Sequence, residues 1–322
     1  MRDEALLAMS SRVKCLTESQ ALAILRTELG ESYRETSSGL VRRGIGDDCA
    51  VVTAPQGVQV WTIDSCNEGS HFLWDWMAPE DIAHKSFQAA LSDIPAMGAR
   101  PLAALCQLTL SPRVSAPWLR RFAREQARIS LDTKTPLVGG NICFGGRLQV
   151  STTVLGQHKG KVLQRDGAQE KDEVWLVGSV GLARAGLLLL EAGIHKKKKV
   201  TAAQRRCLSA FRRPVALTKE GQELVGRAHS CMDVSDGLLR DAPRLAEASG
   251  LRIEIDARLL RGSLCSDLEL VAVELGTTGL ALALEGGEDY ALLVTGPRER
   301  RPAFAQVIGR VVTGAGASFP AM

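Results

Sequence analysis

Residues 44–64, GIGDDCAVVTAPQGVQVWTID, constrain the fold of this chain most, because they combine a predicted β-hairpin with acidic residues at both of its ends. Two short apolar runs, 49–53 and 58–63, flank a segment that contains a Pro and a Gly, as turns usually do. If the turn lies midway between the acids, Asp48 faces Asp64 across the hairpin, and like charges in that position repel each other. The hairpin therefore predicts a bound cation.

The length of the chain predicts two domains, because 322 residues exceed the size of most single hydrophobic cores. We place them at 1–158 and 159–322, with the junction in the polar, Gly-containing stretch 160–173. The net charge of +4 is too small to indicate a nucleic acid or a membrane surface as a partner. No apolar run approaches the ~18–20 residues that span a bilayer, and the first residues lack the apolar core of a signal peptide. We therefore expect a cytoplasmic protein.

The order of predicted elements favours an α+β first domain. Helices are predicted over 18–29, from Pro79 to about Pro95 and over 116–129, and strands over 102–110, 135–138 and 148–155. A strand over 174–178 and a helix over 182–192 begin the second domain. On the helix from Pro79, one half of the helical wheel is apolar, and the other half carries His84, Lys85, Gln88 and Ser92. Asp93 lies at the margin of the apolar half.

Two sequence features predict structure without function. The eight cysteines form no C-x-x-C pair and are scattered over apolar segments, so buried free thiols are expected. The four lysines 196–199 follow a predicted helix and carry no interleaved aromatic residues, so a solvated loop is expected there.

Two further acidic stretches adjoin glycines. In CMDVSDGLL (231–239), the acids precede a predicted amphipathic helix that ends before Gly250, and Ser235 or Asp236 is the predicted N-cap. Capping explains one acid but not two, and a helix N-terminus also suits a phosphate. The second stretch, GGED (286–289), precedes a predicted strand over 290–295 and reads in isolation as a solvated turn.

Taken together, the acids at element ends predict an Mg²⁺-dependent protein that handles phosphates, because such carboxylates hold Mg²⁺ while leaving positions for substrate oxygens. They are Asp47, Asp48, Asp64, Asp93, Asp233, Asp236 and Glu288. The chain contains no P-loop, no dinucleotide-binding G-x-G-x-x-G, no H-E-x-x-H and no G-x-S-x-G motif. The absence of these motifs argues against a Ser/His/Asp hydrolase and predicts an unusual nucleotide site.

Eight motifs recur in a family-specific order: GIGDDCAVV, TIDSCNEGSHF, KSFQAALSDIPAMGARPLAAL, VGGN, RDGA, RRP (212–214), MDVSDGLLRD and LEGGEDYALL. In this order they resemble the thiamine-monophosphate kinase family, of the superfamily of aminoimidazole ribonucleotide synthetase, over residues 18–312. The resemblance implies a PurM-like two-domain fold. Its N-terminal α/β domain would pair its strands into a barrel across a homodimer, and its C-terminal domain would be an α/β sandwich. It also implies in-line transfer of the γ-phosphoryl group of ATP to thiamine monophosphate, which needs no protein nucleophile.

The resemblance also implies a set of site residues. Several Mg²⁺ ions would be held by Asp48, Thr62, Ile63, Asp64, Asp93, Asn141, Asp233 and Asp236. ATP would be bound by Gly140, Asn141, Arg165 and Ser235. Thiamine monophosphate would be bound by His71, Glu288 and Phe319.

Three departures from the family pattern leave two alternatives open. Asn141 stands where relatives usually have Asp, so a negative charge is lost. Ile63 stands where a hydroxyl residue is common, so only its backbone carbonyl could bind a metal, and the chain ends shortly after Phe319. One alternative is a catalytically weakened nucleotide-binding protein. The other is a sister ATP-dependent synthetase, against which the LEGGEDY motif argues.

Overall fold

The computed structural model describes residues 16–29, 39–43, 51–52 and 57–319. The chain divides into two compact units. The first comprises Met1–Gln56, Trp61–Ala90 and Pro101–Leu155, and the second comprises Gly57–Val60, Leu91–Arg100 and Gly156–Met322. Helices and mixed β-sheets make up the described residues, which confirms the predicted α+β fold class. None of the described helices is long and apolar enough to cross a membrane.

The N-terminal half of the chain contains three helices and six strands within its described residues. In chain order they are α1 (Glu18–Leu29), β1 (Val41–Arg43), β2 (Val51–Val52), β3 (Val58–Asn67), α2 (Pro79–Ala96), β4 (Arg100–Leu110), α3 (Ala116–Asp132), β5 (Leu137–Phe144) and β6 (Gln149–His158). Four of these strands form one sheet in the order β3-β6-β4-β5, with β4 and β5 parallel. The predicted helices at α1, α2 and α3 are confirmed.

The C-terminal half is built around a six-stranded sheet. Its elements are β7 (Glu173–Val177), α4 (Leu182–Glu191), α5 (Ala202–Arg212), α6 (Thr218–Glu223), β8 (Ser230–Val234), α7 (Leu238–Ser249), β9 (Arg252–Ile255), α8 (Ala257–Ser263), α9 (Ser266–Glu274), α10 (Gly279–Glu285), β10 (Ala291–Gly296), β11 (Gln306–Val312) and β12 (Gly316–Ser318). The strand order is β12-β9-β11-β7-β10-β8. Only the β12–β9 pair is parallel among the described pairs of this sheet.

The six-stranded sheet is covered on both of its faces. Successive side chains of a strand point to opposite faces, and on β7 both sets are buried. Val174 and Leu176 belong to one core, with Leu245 of α7, whereas Trp175 and Val177 belong to a second core on the other face. In the sequence, a strand such as β7 is therefore a continuous apolar run and not an alternation of apolar and polar residues.

Helix α2 is buried on every side. Its apolar half is buried as predicted, but His84, Lys85, Gln88 and Ser92 are also buried, although the helical wheel assigned them to a polar face. One of them pairs with a buried acid, because Nδ1 of His84 lies 3.5 Å from Oε1 of Glu125 on α3. Helical periodicity identifies the polar face of a helix, but it does not show whether other parts of the fold pack over that face.

The predicted hairpin between residues 49–53 and 58–63 is wrong in its pairing. Val51–Val52 pairs antiparallel with Val41–Arg43 in a separate two-stranded sheet, and the neighbour of β3 in its own sheet is β6. The pairing partner of a short strand lies anywhere in the chain, and turn residues alone do not identify it. Asp48, which was expected to face Asp64, lies outside the described residues.

The strand predicted over residues 135–138 is also longer than expected. Strand β5 runs from Leu137 to Phe144, so the VGGN motif lies inside the strand and not after it. A Cβ atom on Gly140 would lie 1.8 Å from the carbonyl oxygen of Cys106 on β4. The glycine is therefore required by the close approach of two strands, and not by a turn.

The smaller structural predictions are largely confirmed within the described residues. The four cysteines Cys66, Cys106, Cys207 and Cys231 are buried free thiols, and Cys143 and Cys265 are partly exposed free thiols. Residues 196–199 are exposed, and Gly250 ends α7 in the left-handed conformation.

Candidate functional site

Three of the predicted metal ligands, Thr62, Ile63 and Asp64, follow one another on strand β3. Alternation along the strand places Thr62 and Asp64 on one face and Ile63 on the other, where it is 66% exposed. Asp64 is half-buried, and its Oδ1 accepts a hydrogen bond from the backbone N–H of Ser65. The side chain of Asp64 is therefore positioned by a regular strand and not by a loop.

Gly140 and Asn141 of β5 border an apolar groove in the first unit. A groove of about 70 Å³ opens between helix α1 and the β4–β5 strand pair. Apart from Gly140 and Asn141, the groove is lined by Leu22, Leu25, Leu29, Cys106, Leu108, Gln126, Leu137, Gly139 and Ile142. Flat, apolar ligand groups suit such a lining.

A buried amide lies in the wall of this groove. Nε2 of Gln126 donates to Sγ of Cys106 at 3.3 Å, but its Oε1 has no hydrogen-bond partner among the described residues. Gln126 is fully buried, and a buried acceptor without a donor is costly.

The second unit brings Asp233 together with Ser92 and Asp93, which lie far away in the sequence. Asp233 lies near the end of strand β8 and is only 4% exposed, and its Oδ2 accepts a hydrogen bond from Oγ of Ser92 at 2.9 Å. Burial, followed by the charge of Asp93, raises the pKa of Asp233 to about 6, and the Ser92 hydrogen bond partly opposes this rise. Carboxylates that repel each other at a buried position suit a divalent cation such as Mg²⁺.

Two acidic turns of the second unit interlock through their glycines. We call residues 234–237 the VSDG turn and residues 286–289 the GGED turn. A Cβ atom on Gly287 would lie 2.4 Å from the carbonyl oxygen of Ser235, and one on Gly237 would lie 2.6 Å from that of Gly286. The backbone N–H of Glu288 also donates to the carbonyl of Ser235 at 2.8 Å. Side chains larger than hydrogen do not fit at these contacts. The two turns therefore form a single closely packed assembly.

The VSDG turn contains an ion-pair network that the sequence did not reveal. Arg244 places Nη1 2.6 Å from Oδ2 of Asp236 and 2.9 Å from Oδ1 of Asp241. Asp241 is fully buried and accepts the backbone N–H of Asp236. The predicted side-chain N-cap of α7 is wrong, since Gly237 occupies that position and Asp241 reaches back from the first turn instead.

The GGED turn uses its aspartate differently. Asp289 accepts hydrogen bonds from the backbone N–H groups of Gly181, at 2.6 Å, and Ala183, at 2.8 Å, so that it caps helix α4. Burial is the main reason that its pKa is raised to about 7, although the two hydrogen bonds oppose this rise. The flanking residues Glu288 and Tyr290 have positive φ angles of 63° and 52°. Strain of this kind is typical of functional loops that packing holds in place.

Arg165 is held beside strand β8 by a short 3₁₀ turn, Arg165–Gly167. Oγ of Ser249, at the end of α7, donates to the carbonyl of Arg165 at 2.8 Å. A Cβ atom on Gly167 would lie 1.9 Å from the carbonyl oxygen of His229, so the turn follows the strand closely. The positive charge of Arg165 lowers the pKa of Asp233 and therefore acts at the same site.

The structure also shows the surroundings of two further predicted site residues, His71 and Phe319. His71 is half-buried, and its Nδ1 accepts the backbone N–H of Asn67 at 3.1 Å. Phe319 is partly buried against the core of the second unit. Within the described ranges, no three His, Cys, Asp or Glu side chains come together as a preformed metal site.

Comparisons with known proteins show the family of the chain. Family models described as AIR synthase related protein, N-terminal domain, and AIR synthase related protein, C-terminal domain, match residues 46–158 and 169–319. The thiamine-monophosphate kinase of Aquifex aeolicus is 35% identical over 274 residues, which cover 84% of this chain and 87% of the relative.

Solved structures give the same result. The structure of the thiamine-monophosphate kinase from Stenotrophomonas maltophilia K279a has a TM-score of 0.81 and 30% identity, covering 90% of this chain and 95% of its own. A structure of AaThiL complexed with AMPPCP and TMP has a TM-score of 0.77 and 33% identity, covering 91% of each chain.

Proposed function

Because the chain belongs to the thiamine-monophosphate kinase family, we propose that it transfers the γ-phosphoryl group of ATP to the phosphate of thiamine monophosphate and thereby forms thiamine diphosphate. One observation carries the proposal. The relative that was solved with AMPPCP and TMP matches 91% of this chain, which includes both units. Since transfer between two phosphates needs positioning and charge neutralisation more than a nucleophile, carboxylates and glycines at element ends are the residues expected.

Mg²⁺ is the cation that these carboxylates fit. We propose Asp48, Thr62, Ile63, Asp64, Asp93, Asn141, Asp233 and Asp236 as its ligands. The mutual repulsion of Asp93 and Asp233 supports this assignment, since a bound cation would remove it. When bound, Mg²⁺ supplies charge neutralisation at the phosphates. The protein residues hold the carboxylate oxygens in place, through the Ser92 hydroxyl at Asp233 and the backbone of β3 at Asp64.

The nucleotide is assigned to four residues, Gly140, Asn141, Arg165 and Ser235. The apolar groove beside Gly140 and Asn141 suits a flat group such as an adenine base. Gly140 is exposed on the strand, so its backbone remains accessible to a phosphate. Arg165 contributes a positive charge near Asp233, which suits a phosphate bridged by a metal.

Thiamine monophosphate is assigned to His71, Glu288 and Phe319. The strained backbone at Glu288, which a hydrogen bond from its N–H to the carbonyl of Ser235 holds in place, supports a role for this residue in recognition. The hydrogen bond of Nδ1 to Asn67 leaves Nε2 of His71 for a phosphate oxygen.

We propose that two copies of the chain form a homodimer through the apolar face of the four-stranded sheet. Trp61 and Ile63 of β3 are 62% and 66% exposed, and Leu105 of β4 is 40% exposed. Contiguous exposed apolar groups of this size mark interaction sites, and pairing of two sheets into a barrel would cover them. We also propose that the domains divide at 1–158 and 159–322 and that the protein is cytoplasmic.

A product assay tests the proposed reaction. The purified chain is incubated with Mg²⁺, ATP and thiamine monophosphate, and the thiamine phosphates are separated by chromatography. We expect thiamine diphosphate from the wild type and none from Asp64→Ala. No product from the wild type, while ATP still binds in the presence of Mg²⁺, would exclude the kinase function.

Asn141 favours a second candidate, a catalytically weakened nucleotide-binding protein. The test is Asn141→Asp, which restores the carboxylate that relatives usually carry. If the site is weakened, turnover rises by about one to two orders of magnitude, as for a lost charged contact. If the site is adapted to Asn141, as we propose, steady-state kinetics of Asn141→Asp show no gain in kcat.

A further inference from the structure

Arg244 forms an ion pair with Asp236, one of the carboxylates that the proposed function assigns to a metal. Its guanidinium lies 2.6 Å from Oδ2 of Asp236 and 2.9 Å from Oδ1 of Asp241. The side chains of Arg244 and Asp236 are 47% and 43% exposed, whereas Asp241 is fully buried. The arginine therefore joins a solvent-exposed acid to a buried one.

The two ends of this network differ in how firmly they are held. Asp241 accepts the backbone N–H of Asp236 at 2.9 Å in addition to the arginine, and it is packed in the core of the second unit. The Asp236 carboxylate lies at the surface, where a single ion pair contributes little and is easily exchanged. Arg244 can therefore release Asp236 and still remain paired with Asp241.

A divalent cation and a guanidinium cannot share one carboxylate oxygen without strong repulsion. Two like charges a few ångströms apart repel each other even near a protein surface, and the repulsion doubles when one of them is divalent. Binding of a metal at Asp236 consequently requires that Arg244 move away from Oδ2.

We propose that Arg244 competes with the divalent cation for Asp236, so that this carboxylate binds metal only after the guanidinium has been displaced onto Asp241. The inference rests on the proposed function, because it takes Asp236 to be a metal ligand. Arg244 is then a positioning residue. It keeps the VSDG turn closed in the absence of metal and raises the cation concentration that the site needs.

The test is a titration of the protein with Mn²⁺ alone, in which electron paramagnetic resonance measures the free Mn²⁺, without nucleotide or thiamine phosphate. Arg244→Gln removes the competing charge and is expected to bind Mn²⁺ about three- to tenfold more tightly at the site that Asp236→Asn abolishes. Arg244→Lys keeps the charge without the planar fork and is expected to fall between wild type and Arg244→Gln.

Arg240→Gln is the matched control, because Arg240 is an exposed arginine on the same helix and has no assigned role. An equal gain in Mn²⁺ affinity in Arg240→Gln and Arg244→Gln would overturn the inference, because net charge alone would then account for it. Unchanged Mn²⁺ affinity in Arg244→Gln would overturn it as well. If Arg244→Gln does not fold, Arg244→Lys takes its place, and unchanged Mn²⁺ affinity in that variant would overturn the inference.

Failure of the inference is distinguishable from failure of the proposed function. If Asp236→Asn leaves Mn²⁺ binding unchanged, Asp236 is not a metal ligand and the competition does not exist. Formation of thiamine diphosphate by the wild type would still support the kinase reaction in that case.

Discussion

The VSDG turn and the GGED turn look alike in the sequence, because each combines acidic residues with glycine at the end of an apolar strand or helix. In the structure their aspartates differ. Asp289 of the GGED turn uses both carboxylate oxygens to cap helix α4. At the VSDG turn, Asp233 is held by the hydroxyl of Ser92, and Asp236 is held by the exposed Arg244.

The difference shows what decides the role of an acid at an element end. A carboxylate that faces a helix N-terminus is satisfied by backbone N–H groups and becomes part of the scaffold. A carboxylate that is buried next to another acid remains in need of a cation. The glycines that interlock the turns bring Asp236 and Asp289 close together in the chain's second unit.

The largest expected effect separates the two kinds of acid by activity. Asp233→Asn should lower kcat/KM for thiamine monophosphate about 10²–10³-fold, the usual size of a lost charge contact in a transition state. It should not lower the free energy of unfolding, because it removes a buried charge next to Asp93. Steady-state kinetics and urea denaturation of one preparation measure both. Activity close to that of wild type would place Asp233 among the scaffold acids.

The next effect concerns stability. Asp289→Ala leaves the N–H groups of Gly181 and Ala183 without their acceptor and should lower the free energy of unfolding by about 2–4 kcal/mol. Asp236→Ala, at the exposed end of the arginine network, should lower it by less than about 1 kcal/mol. Urea denaturation compares the two. Equal losses would remove the distinction between the turns.

The pH dependence of stability gives a smaller effect with a defined sign. Because the folded protein raises the pKa of Asp289 to about 7, the stabilisation linked to its proton is complete below the usual range of an aspartate, near pH 4. It is lost as the pH rises through about 7. The free energy of unfolding of wild type minus that of Asp289→Asn should therefore decrease from pH 4 to pH 8. A flat difference would mean that Asp289 is ionised throughout this range.

The sequence was sufficient for the fold class and for most helices and strands. The helices from Glu18, Pro79 and Ala116 and the buried face of α7 follow from periodicity, since each packs an apolar stripe. The pairing of Val51–Val52 with Val41–Arg43 could not be predicted, because strand pairing depends on tertiary context and not on local composition. For the same reason, the polar residues of α2 were expected at a surface that the fold covers.

The candidate site was predictable in its residue types but not in its contacts. Acids beside glycines were visible in the sequence, whereas the contacts of Ser92 and Gln126 depend on neighbours elsewhere in the chain. One local signal was available. Asp241 and Arg244 lie three residues apart on one helix, and such a spacing predicts an ion pair.

The most direct measurement follows the labelled γ-phosphoryl group of ATP into thiamine monophosphate in wild type, Asp233→Asn and Asp289→Asn, at equal concentrations of folded protein and with Mg²⁺ present. The account predicts labelled thiamine diphosphate from wild type and from Asp289→Asn, and an initial rate of labelling about 10²–10³-fold lower from Asp233→Asn. Absence of label in the thiamine diphosphate of the wild type would contradict the proposed reaction. Equal labelling by the two variants would contradict the division between ligand acids and scaffold acids.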